Sequence, residues 1–209
     1  MKLVFIHGWG LTPGFWDDVA SRLSEFRHHR IDLGFFGPPS LPANDDEPSI
    51  LIGHSLGFVH GLSTHQNWRG WVAVNSFPRF LKTKTQPGCS SAAELRDIRI
   101  RLENDPHQTL KDFHGYIGAR TPAGEAQAER LREALDFLRD GDASAVLETL
   151  AAPGLVLASK NDPLVPAETS AALAEGRSIE WHDKGGHVLP QNDPNWCAES
   201  IRLFVASHA

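Results

Sequence analysis

Cysteine and basic side chains are both scarce in this sequence. Its two cysteines, Cys89 and Cys197, lie far apart and form neither a CxxC pair nor a zinc-type spacing. We therefore expect free thiols of a reducing compartment, while a single disulfide between them stays open. Against 26 Asp and Glu there are 20 Lys and Arg, which gives a net charge of −6. Because phosphate backbones and anionic membranes bind clustered basic residues, this balance argues against nucleic-acid and membrane partners.

Long hydrophobic runs are also absent. No apolar segment approaches the roughly 20 residues that a membrane-spanning helix needs. The first apolar run, Leu3–Ile6, stops at His7 and no small-residue cleavage site follows, so a cytoplasmic protein is expected. A length of 209 residues with 41% hydrophobic residues suits a single domain spanning 1–209.

Short apolar runs alternate with amphipathic stretches along the chain. Such an alternation of strands and helices predicts an α/β fold with a mostly parallel sheet flanked by helices. Helices are expected over 15–26, from Leu56 onward and over 195–207, and a loop over 38–48. The predicted strands are Leu3–Ile6, His28–Leu33, Ser49–Gly53, Trp71–Asn75, Gly154–Ser159 and Ile179–His182.

The long segment between the strands at 71–75 and 154–159 contains no convincing strand. It carries three helical stripes instead, which are Leu95/Ile98/Leu102, Leu110/Phe113/Ile117 and Leu131/Leu135/Leu138. These stripes predict three or four short helices, and most of their residues are expected simply to pack together. Since an insertion at the carboxyl end of a strand lies where α/β sheets bind ligands, residues of about 78–150 are a candidate lid.

The sharpest motif is SILIGHSLG, an apolar strand followed by Gly53-His54-Ser55-Leu56-Gly57. A strand-to-helix turn this tight needs small residues on both sides of its central serine. It exposes the Ser55 hydroxyl above the sheet and leaves the Leu56 backbone N–H free at the helix start. The motif therefore predicts a serine nucleophile, although an ordinary glycine-flanked turn would look the same in isolation.

A serine nucleophile requires a histidine base and a carboxylate that orients it. In this architecture the acid and then the histidine follow in loops after later strands. Asp162 comes just after the strand at 154–159, and His187 follows the strand at 179–182 within Gly185-Gly186-His187. We therefore predict the catalytic triad Ser55, Asp162 and His187.

Other acids and histidines are weaker candidates for these roles. Asp183 is too close to the end of its strand, and Asp193 comes after His187, out of order. His182 lies at a strand end, and His54 neighbours the serine but should point elsewhere on the turn. A metal enzyme is disfavoured because none of these histidines, nor the pair at 28–29, has a ligand spacing, so no metal and no cofactor are expected.

Attack on an ester carbonyl also requires N–H donors for the oxyanion. One is the Leu56 N–H, and the second must come from a loop after an earlier strand. The stretch His7-Gly8-Trp9-Gly10 after the first strand offers it, since Gly8 permits a sharp turn and the Trp9 N–H can face the site. A glycine-rich turn with a packing tryptophan is the alternative interpretation.

Taken together, HGWG, GHSLG, NDPLVP and GGHVLP resemble the α/β-hydrolase superfamily across almost the whole chain. The HGWGL opening and the VNSFPRF segment resemble more narrowly the pimeloyl-ACP methyl ester esterases of biotin synthesis, which are carboxylesterases. The resemblance implies hydrolysis of the methyl ester of a pimeloyl chain on an acyl-carrier protein. It also implies Ser55, Asp162 and His187 as the triad, Trp9 and Leu56 as the oxyanion hole, and Trp9 with Phe113 as acyl-pocket walls.

Three features depart from that family. The chain begins at the HGWG strand, so the usual leading hairpin is expected to be absent, and the segment 38–48 replaces a helix. Where the family's lid offers arginines to an acidic carrier protein, this chain has Gln108 and Asp112. Docking of an acyl-carrier protein through other arginines therefore stays open; the candidates are Arg96, Arg99, Arg101 and Arg120.

The sequence leaves three functions in competition. The first is a serine carboxylesterase acting on a small-molecule or carrier-bound acyl ester. The second is a hydrolase with the same triad and another substrate, such as a thioesterase, a general short-chain esterase or a C–C bond hydrolase. The third is a non-catalytic binding protein on the same fold, which is disfavoured because no triad residue is missing.

Overall fold

A six-stranded parallel sheet forms the centre of the computed structural model, which describes residues 1–40, 47–64 and 67–208. Its order is β2-β1-β3-β4-β5-β6. The predicted fold class, a mostly parallel α/β sheet flanked by helices, is confirmed. The strands are β1 Lys2–Ile6, β2 Arg27–Ile31, β3 Ser49–His54, β4 Trp68–Val74, β5 Gly154–Ser159 and β6 Ser178–His182.

The second and fourth strands differ most from the predicted ones. The fourth strand begins at Trp68 rather than Trp71 and ends at Val74. Asn75, predicted as strand, instead has a left-handed backbone with φ of 44°. The second strand ends at Ile31 rather than Leu33.

Helices cover both faces of the sheet. A short 3-10 helix at Pro13–Trp16 precedes the first α-helix. The α-helices are α1 Asp17–Ser21, α2 Leu56–Thr64, α3 Ala92–Asn104, α4 Pro106–Ile117, α5 Ala128–Asp140, α6 Ser144–Thr149, α7 Ala167–Leu173, α8 Leu189–Asn192 and α9 Pro194–His208.

The single helix predicted over 15–26 is wrong. The chain passes from the 3-10 helix into α1 and leaves helical geometry after Ser21. Arg22 and Leu23 donate to carbonyls only three residues back, at Val19 and Ala20, so the segment continues as tight turns. The apolar stripe is nevertheless buried, since Val19 and Leu23 are both inaccessible to solvent.

Two apolar layers lie on opposite faces of the sheet because successive strand residues point in opposite directions. Leu51 belongs to one layer, which α2, α3 and α5 cover, whereas Ile50 and Ile52 belong to the other, which α1 and α9 cover. Strands buried on both faces explain the continuous apolar runs in the sequence.

Helices α3 to α6 lie in sequence between β4 and β5. Their predicted stripes do face inward: Leu95, Leu102, Leu131, Leu135 and Leu138 are all buried in the layer that also contains Leu51. Residues 38–40 and 47–48 of the predicted loop form neither helix nor strand, and 41–46 lie outside the described residues. Cys89 and Cys197 are both free thiols. Among the described helices, none combines the length and the apolar character that crossing a bilayer requires.

Candidate active site

Ser55 occupies the tight turn between β3 and α2. Its φ is 53°, a left-handed conformation that is uncommon for a residue with a side chain. The flanking glycines are required sterically: a Cβ on Gly53 would lie 2.3 Å from the Phe58 Cα, and one on Gly57 would lie 2.3 Å from the Ile6 carbonyl oxygen. The Ser55 N–H donates to the Val74 carbonyl at 3.1 Å, which joins the turn to β4.

Asp162 and His187 form a buried pair at the ends of neighbouring strands. The His187 Nδ1 lies 2.9 Å from Asp162 Oδ2 and 3.1 Å from Oδ1. Both side chains are only 1% exposed. Asp162 Oδ1 also accepts from the backbone N–H groups of Leu164 at 2.8 Å and Val165 at 2.9 Å, which orients the carboxylate. Because a carboxylate accepts, Nδ1 of His187 donates, and Nε2 is left as the basic nitrogen.

Asp183, Asp193 and His182, the weaker candidates for the acid and the base, interact with other partners. Asp183 is exposed and pairs with Lys160 at 2.7 Å, and this cation lowers the pKa of Asp183. Asp193 lies 3.3 Å from His182 Nε2, whose ring also packs on Trp196. Of the acids weighed in the sequence, Asp162 is the one that contacts His187 in the described structure.

The HGWG loop reaches Ser55 through Gly8. A Cβ on Gly8 would lie 3.3 Å from the Ser55 Cβ and 2.8 Å from His54 Nδ1, so only glycine allows this approach. His7, which is fully buried, donates from Nδ1 to the Gly8 carbonyl at 2.9 Å and accepts at Nε2 from the Leu33 N–H at 3.1 Å. These two bonds fix the loop where it leaves β1.

The backbone N–H groups of Trp9 and Leu56 are both available as donors. Neither has a hydrogen-bond acceptor among the residues that the structure describes. Leu56 is the first residue of α2, where the N–H groups have no partner within the helix. The Trp9 donor belongs to the HGWG loop, which approaches Ser55, and the Leu56 donor belongs to the residue directly after Ser55.

The α4 and α5 helices hold the Trp9 side of the loop. The Trp9 indole N–H donates to the Leu131 carbonyl at 2.9 Å, and its ring lies 4.8 Å from the Phe113 ring, edge to face. His114 Nε2 donates to the Gly10 carbonyl at 2.7 Å. Burial lowers the pKa of His114, so this imidazole is neutral near pH 7.

Cavities lie beside these helices and elsewhere on the molecule. One of about 300 Å³ opens between α3 and α4, and Phe113, Arg101 and Tyr116 are among its walls. A wider cleft of about 860 Å³ lies near the start of β5 and contains none of the predicted site residues. The smaller cavity is the one that shares a residue, Phe113, with the predicted acyl pocket.

Two residues around the triad, Asn75 and Ser76, were not predicted from the sequence, and His54, expected to point elsewhere on the turn, contacts the backbone of His187. The Ser76 hydroxyl donates to the Ser55 carbonyl at 2.7 Å, and the His54 ring donates from Nε2 to the His187 carbonyl at 3.0 Å. Asn75 bonds to the loop of His187 and to Ser159, the last residue of the strand that leads to Asp162. One signal was present in the sequence, since Asn75-Ser76 are polar residues at the carboxyl end of an apolar strand.

Comparison with known proteins agrees with this geometry. A family model described as "Alpha/beta hydrolase family" matches residues 3–200. The chain belongs to this family. The pimeloyl-[acyl-carrier protein] methyl ester esterase of Xanthomonas axonopodis pv. citri (strain 306) is 28% identical over 240 residues, covering 98% of this chain and 95% of that protein. The family match and the curated esterase relatives identify this α/β hydrolase as a carboxylic ester hydrolase, as predicted.

Solved structures support the same fold. A bromoperoxidase from Bacillus anthracis superposes with a TM-score of 0.83 at 21% identity, covering 98% of this chain and 91% of that one. An esterase from Exiguobacterium antarcticum also gives 0.83, at 19% identity, with 99% and 92% covered. At such identities the likeness concerns the fold alone.

Proposed function

We propose that this α/β hydrolase cleaves the methyl ester of pimeloyl-[acyl-carrier protein], with Ser55 as nucleophile, His187 as general base and Asp162 as the carboxylate that orients it. The observation that carries the esterase chemistry is the buried contact of 2.9 Å between His187 Nδ1 and Asp162 Oδ2. Ser55 occupies a left-handed strand-to-helix turn of the kind that exposes a nucleophile, and the ring of its neighbour His54 lies 4.7 Å from the His187 ring.

The acylation step begins when the Ser55 Oγ attacks the ester carbonyl carbon. His187 Nε2 takes the hydroxyl proton, and Asp162 stabilises the resulting imidazolium through Nδ1–H. The carbonyl oxygen becomes an oxyanion that accepts hydrogen bonds from the Trp9 and Leu56 backbone N–H groups. Collapse of this intermediate breaks the bond to the methoxy oxygen, which leaves as methanol with the proton from His187.

Deacylation repeats the sequence with water. His187 removes a proton from a water molecule, and the hydroxyl attacks the carbonyl carbon of the Ser55 acyl ester. The second oxyanion is stabilised by the same two N–H donors. Its collapse releases the free carboxylic acid and returns the proton from His187 to the Ser55 oxygen.

The substrate assignment draws on the relatives and on the aromatic wall beside the site. The curated relatives are named for the pimeloyl-[acyl-carrier protein] methyl ester. Trp9 and Phe113, which pack edge to face at 4.8 Å, are proposed to line the pocket for the acyl chain. We also propose that α3 to α6 form the lid over this pocket.

The ion pairing of Arg99 favours a second candidate, a general short-chain carboxylesterase or thioesterase, because it removes one of the four arginines weighed for carrier docking. Arg99 pairs with Glu103 at 3.5 Å and with Asp136 at 3.2 Å, and Arg139 pairs with Asp136 and Asp140. An acidic carrier protein needs unpaired cations. Among the described residues, those on this segment that lack an acidic partner within 4 Å include Arg96, Arg101 and Arg120.

Hydrolysis of short p-nitrophenyl esters tests the chemistry. We expect wild-type protein to turn these esters over and Ser55→Ala to lose the activity while keeping the wild-type melting temperature. Ser63→Ala is the matched control, because among the described residues the Ser63 hydroxyl bonds only the Val59 carbonyl of its own helix. A Ser55→Ala variant as active as wild type would remove Ser55 from the mechanism.

Growth of a biotin-requiring host that lacks its own methyl esterase tests the substrate. The wild-type gene should restore growth without biotin, and the Ser55→Ala gene should not. If the wild-type gene fails while its product is abundant and hydrolyses p-nitrophenyl esters, the second candidate is favoured. Where the wild-type gene does restore growth, the combination Arg96→Ala, Arg101→Ala and Arg120→Ala should weaken that rescue only if the substrate is carrier-bound.

A further inference from the structure

The residue that follows β4, Asn75, bonds both to the loop that carries His187 and to the end of β5, the strand that leads to Asp162. We propose that Asn75 is a positioning residue that holds the backbone of His187, and with it the general base, in place for the ester hydrolysis proposed above. The proposal rests on that function, but it concerns a residue that takes no part in the proton transfers themselves.

The Asn75 amide makes a hydrogen bond to each side of the site. Its Nδ2 donates to the Gly186 carbonyl at 2.7 Å and to the His187 carbonyl at 2.8 Å. Its Oδ1 accepts from the Ser159 N–H at 2.9 Å, at the end of the strand that leads to Asp162. One side chain therefore bonds to the histidine loop and to the strand that carries the acid.

The backbone of Asn75 is itself adapted to this position. Its φ of 44° is left-handed, and asparagine is among the few residues with a side chain that tolerate this region. The Asn75 N–H donates to the Leu157 carbonyl at 2.8 Å, so the residue still pairs with β5 although the strand has ended. Asn75 as a residue is only 1% exposed, so water does not compete for the hydrogen bonds of its side chain.

A second donor converges on the same carbonyl. The ring of His54 donates from Nε2 to the His187 carbonyl at 3.0 Å. Burial and the nearby His187 ring lower the pKa of His54 well below its ordinary value, so the ring is neutral and has a single N–H to give. The His187 carbonyl thus accepts from both Asn75 and His54, which uses both of its lone pairs.

The neighbours of Asn75 extend the connection to the nucleophile. The Val74 carbonyl accepts from the Ser55 N–H at 3.1 Å, and the Ser76 hydroxyl donates to the Ser55 carbonyl at 2.7 Å. The segment 74–76 therefore bonds to the nucleophile turn, to β5 and to the histidine loop at once. By holding the His187 backbone, the Asn75 amide positions the base relative to the nucleophile turn. A misplacement of about 1 Å can cost on the order of a hundred-fold in rate, so losing this bond should slow the reaction.

Two substitutions of Asn75 separate the role of its amide N–H donor from the need for a left-handed backbone at this position. Asn75→Gly tolerates the left-handed φ but removes the amide. Asn75→Asp keeps the size and the acceptor for Ser159, but replaces the donor with a carboxylate oxygen that faces the carbonyls of Gly186 and His187. We expect kcat for p-nitrophenyl acetate to fall roughly 10-fold in the first and about 100-fold in the second, with KM changed less than about 3-fold.

The pH profile of Asn75→Asp distinguishes a donor from a merely structural residue. When the new carboxyl is protonated, its O–H can donate in place of the lost amide, so the ratio of its kcat/KM to that of wild type should rise as pH falls. Asn192→Ala is the matched control, because Asn192 Nδ2 donates to the Gly185 carbonyl of the same loop at 2.9 Å but to no carbonyl of His187. It should stay within about 3-fold of wild type.

The outcomes are distinct from a failure of the proposed function. The inference is overturned if both Asn75 variants keep more than half of the wild-type kcat, or if the ratio for Asn75→Asp does not change with pH. It is also overturned if Asn192→Ala loses as much activity as Asn75→Gly. If Asn75→Asp does not fold, the kcat and KM of Asn75→Gly still decide. Should Ser55→Ala remain active, the proposed function fails, whatever Asn75 does.

Discussion

The strand ends that carry Ser55, Asp162 and His187 differ from the helices α3 to α6 in the interactions that hold them. Hydrogen bonds between buried groups link the strand ends, as in the 2.9 Å contact of His187 with Asp162. Apolar stripes hold the helices on the inside, whereas their outer faces carry exposed ion pairs such as Arg139 with Asp140. Buried hydrogen bonds specify position within a few tenths of an ångström, and apolar packing tolerates substitution more readily.

This difference separates two tasks of the molecule. The strand ends set the geometry of bond cleavage, while the helices shape the space beside it. The two regions meet at the HGWG loop, where Trp9 donates to Leu131 of α5 and Gly10 accepts from His114 of α4. Substitutions at the strand ends should therefore change the rate most, those at the meeting point less, and those on the outer helical faces least.

Asp162→Asn should cause the largest loss. The new amide presents an N–H or a weaker acceptor to His187 Nδ1, which disfavours the tautomer that leaves Nε2 basic. We expect kcat for p-nitrophenyl esters to fall by about 10³- to 10⁴-fold with little change in KM. Asp183→Asn is the matched control, since Asp183 is exposed and its one ion pair within the described part of the chain is with Lys160. Equal losses in the two variants would contradict the assigned role of Asp162.

Gly8→Ala probes the strand side of the HGWG loop. The added Cβ would lie 2.8 Å from His54 Nδ1 and 3.3 Å from the Ser55 Cβ, so the loop must move away from the serine. Displacing the Trp9 N–H should lower kcat by about 10²-fold. Gly115→Ala, on α4, meets nothing within 4 Å and should leave kcat unchanged. If Gly8→Ala retains full activity, the second oxyanion donor is not in this loop.

The candidate triad and the sheet could be predicted from sequence because their signals are local. Ser55 and Asp162 follow apolar strands and His187 follows the mixed strand β6, and parallel strands bring their carboxyl ends together. The stripes of the helices were likewise predictable, since Leu131 and Leu135 repeat at helical spacing and are buried. The helix over 15–26 was not, because the same stripe can be buried by consecutive turns.

The support of the site could not be predicted because it depends on bonds between distant positions. Asn75 reaches a residue 112 positions away and Trp9 one that is 122 positions away. No motif in a single sequence marks which polar residue at a strand end will make such a bond. The left-handed φ of Asn75 becomes visible only once β4 and β5 are paired.

His114→Leu tests the contact between α4 and the HGWG loop. The substitution removes the hydrogen bond that His114 donates to the Gly10 carbonyl. Gly10 has a left-handed φ of 66°, and without this bond the loop, including the Trp9 N–H, is held less firmly. We expect kcat to fall by about 10-fold, less than for Gly8→Ala because one hydrogen bond is lost and no clash is created. His107→Leu, at an exposed position of the same helix, should have no effect on kcat. A loss in His107→Leu alone would contradict the coupling of α4 to the loop.

His60→Leu affects stability rather than rate. His60, on α2, packs against the Phe137 ring of α5, and burial, with a smaller contribution from the His7 ring, lowers the pKa of His60. The unfolded chain then binds the proton more readily, so the wild-type free energy of unfolding falls as pH drops below about 6.5 towards the lowered value. His60→Leu should make urea unfolding less dependent on pH between 7 and 5. A slope equal to that of wild type would show that His60 is not responsible.

Arg139→Ala should have the smallest effect, although Arg139 has the most acidic neighbours on α5. It contacts Asp136 at 3.0 Å and Asp140 at 2.6 Å on the solvent-accessible face of the helix, where such pairs are screened. We expect a change in Tm below about 2 °C and unchanged kcat. Leu135→Ala, on the buried stripe of the same helix, should instead destabilise the protein by about 2–5 kcal/mol. If the arginine variant proved the more damaging, the outer ion pairs would contribute more to holding this helix than its apolar stripe does.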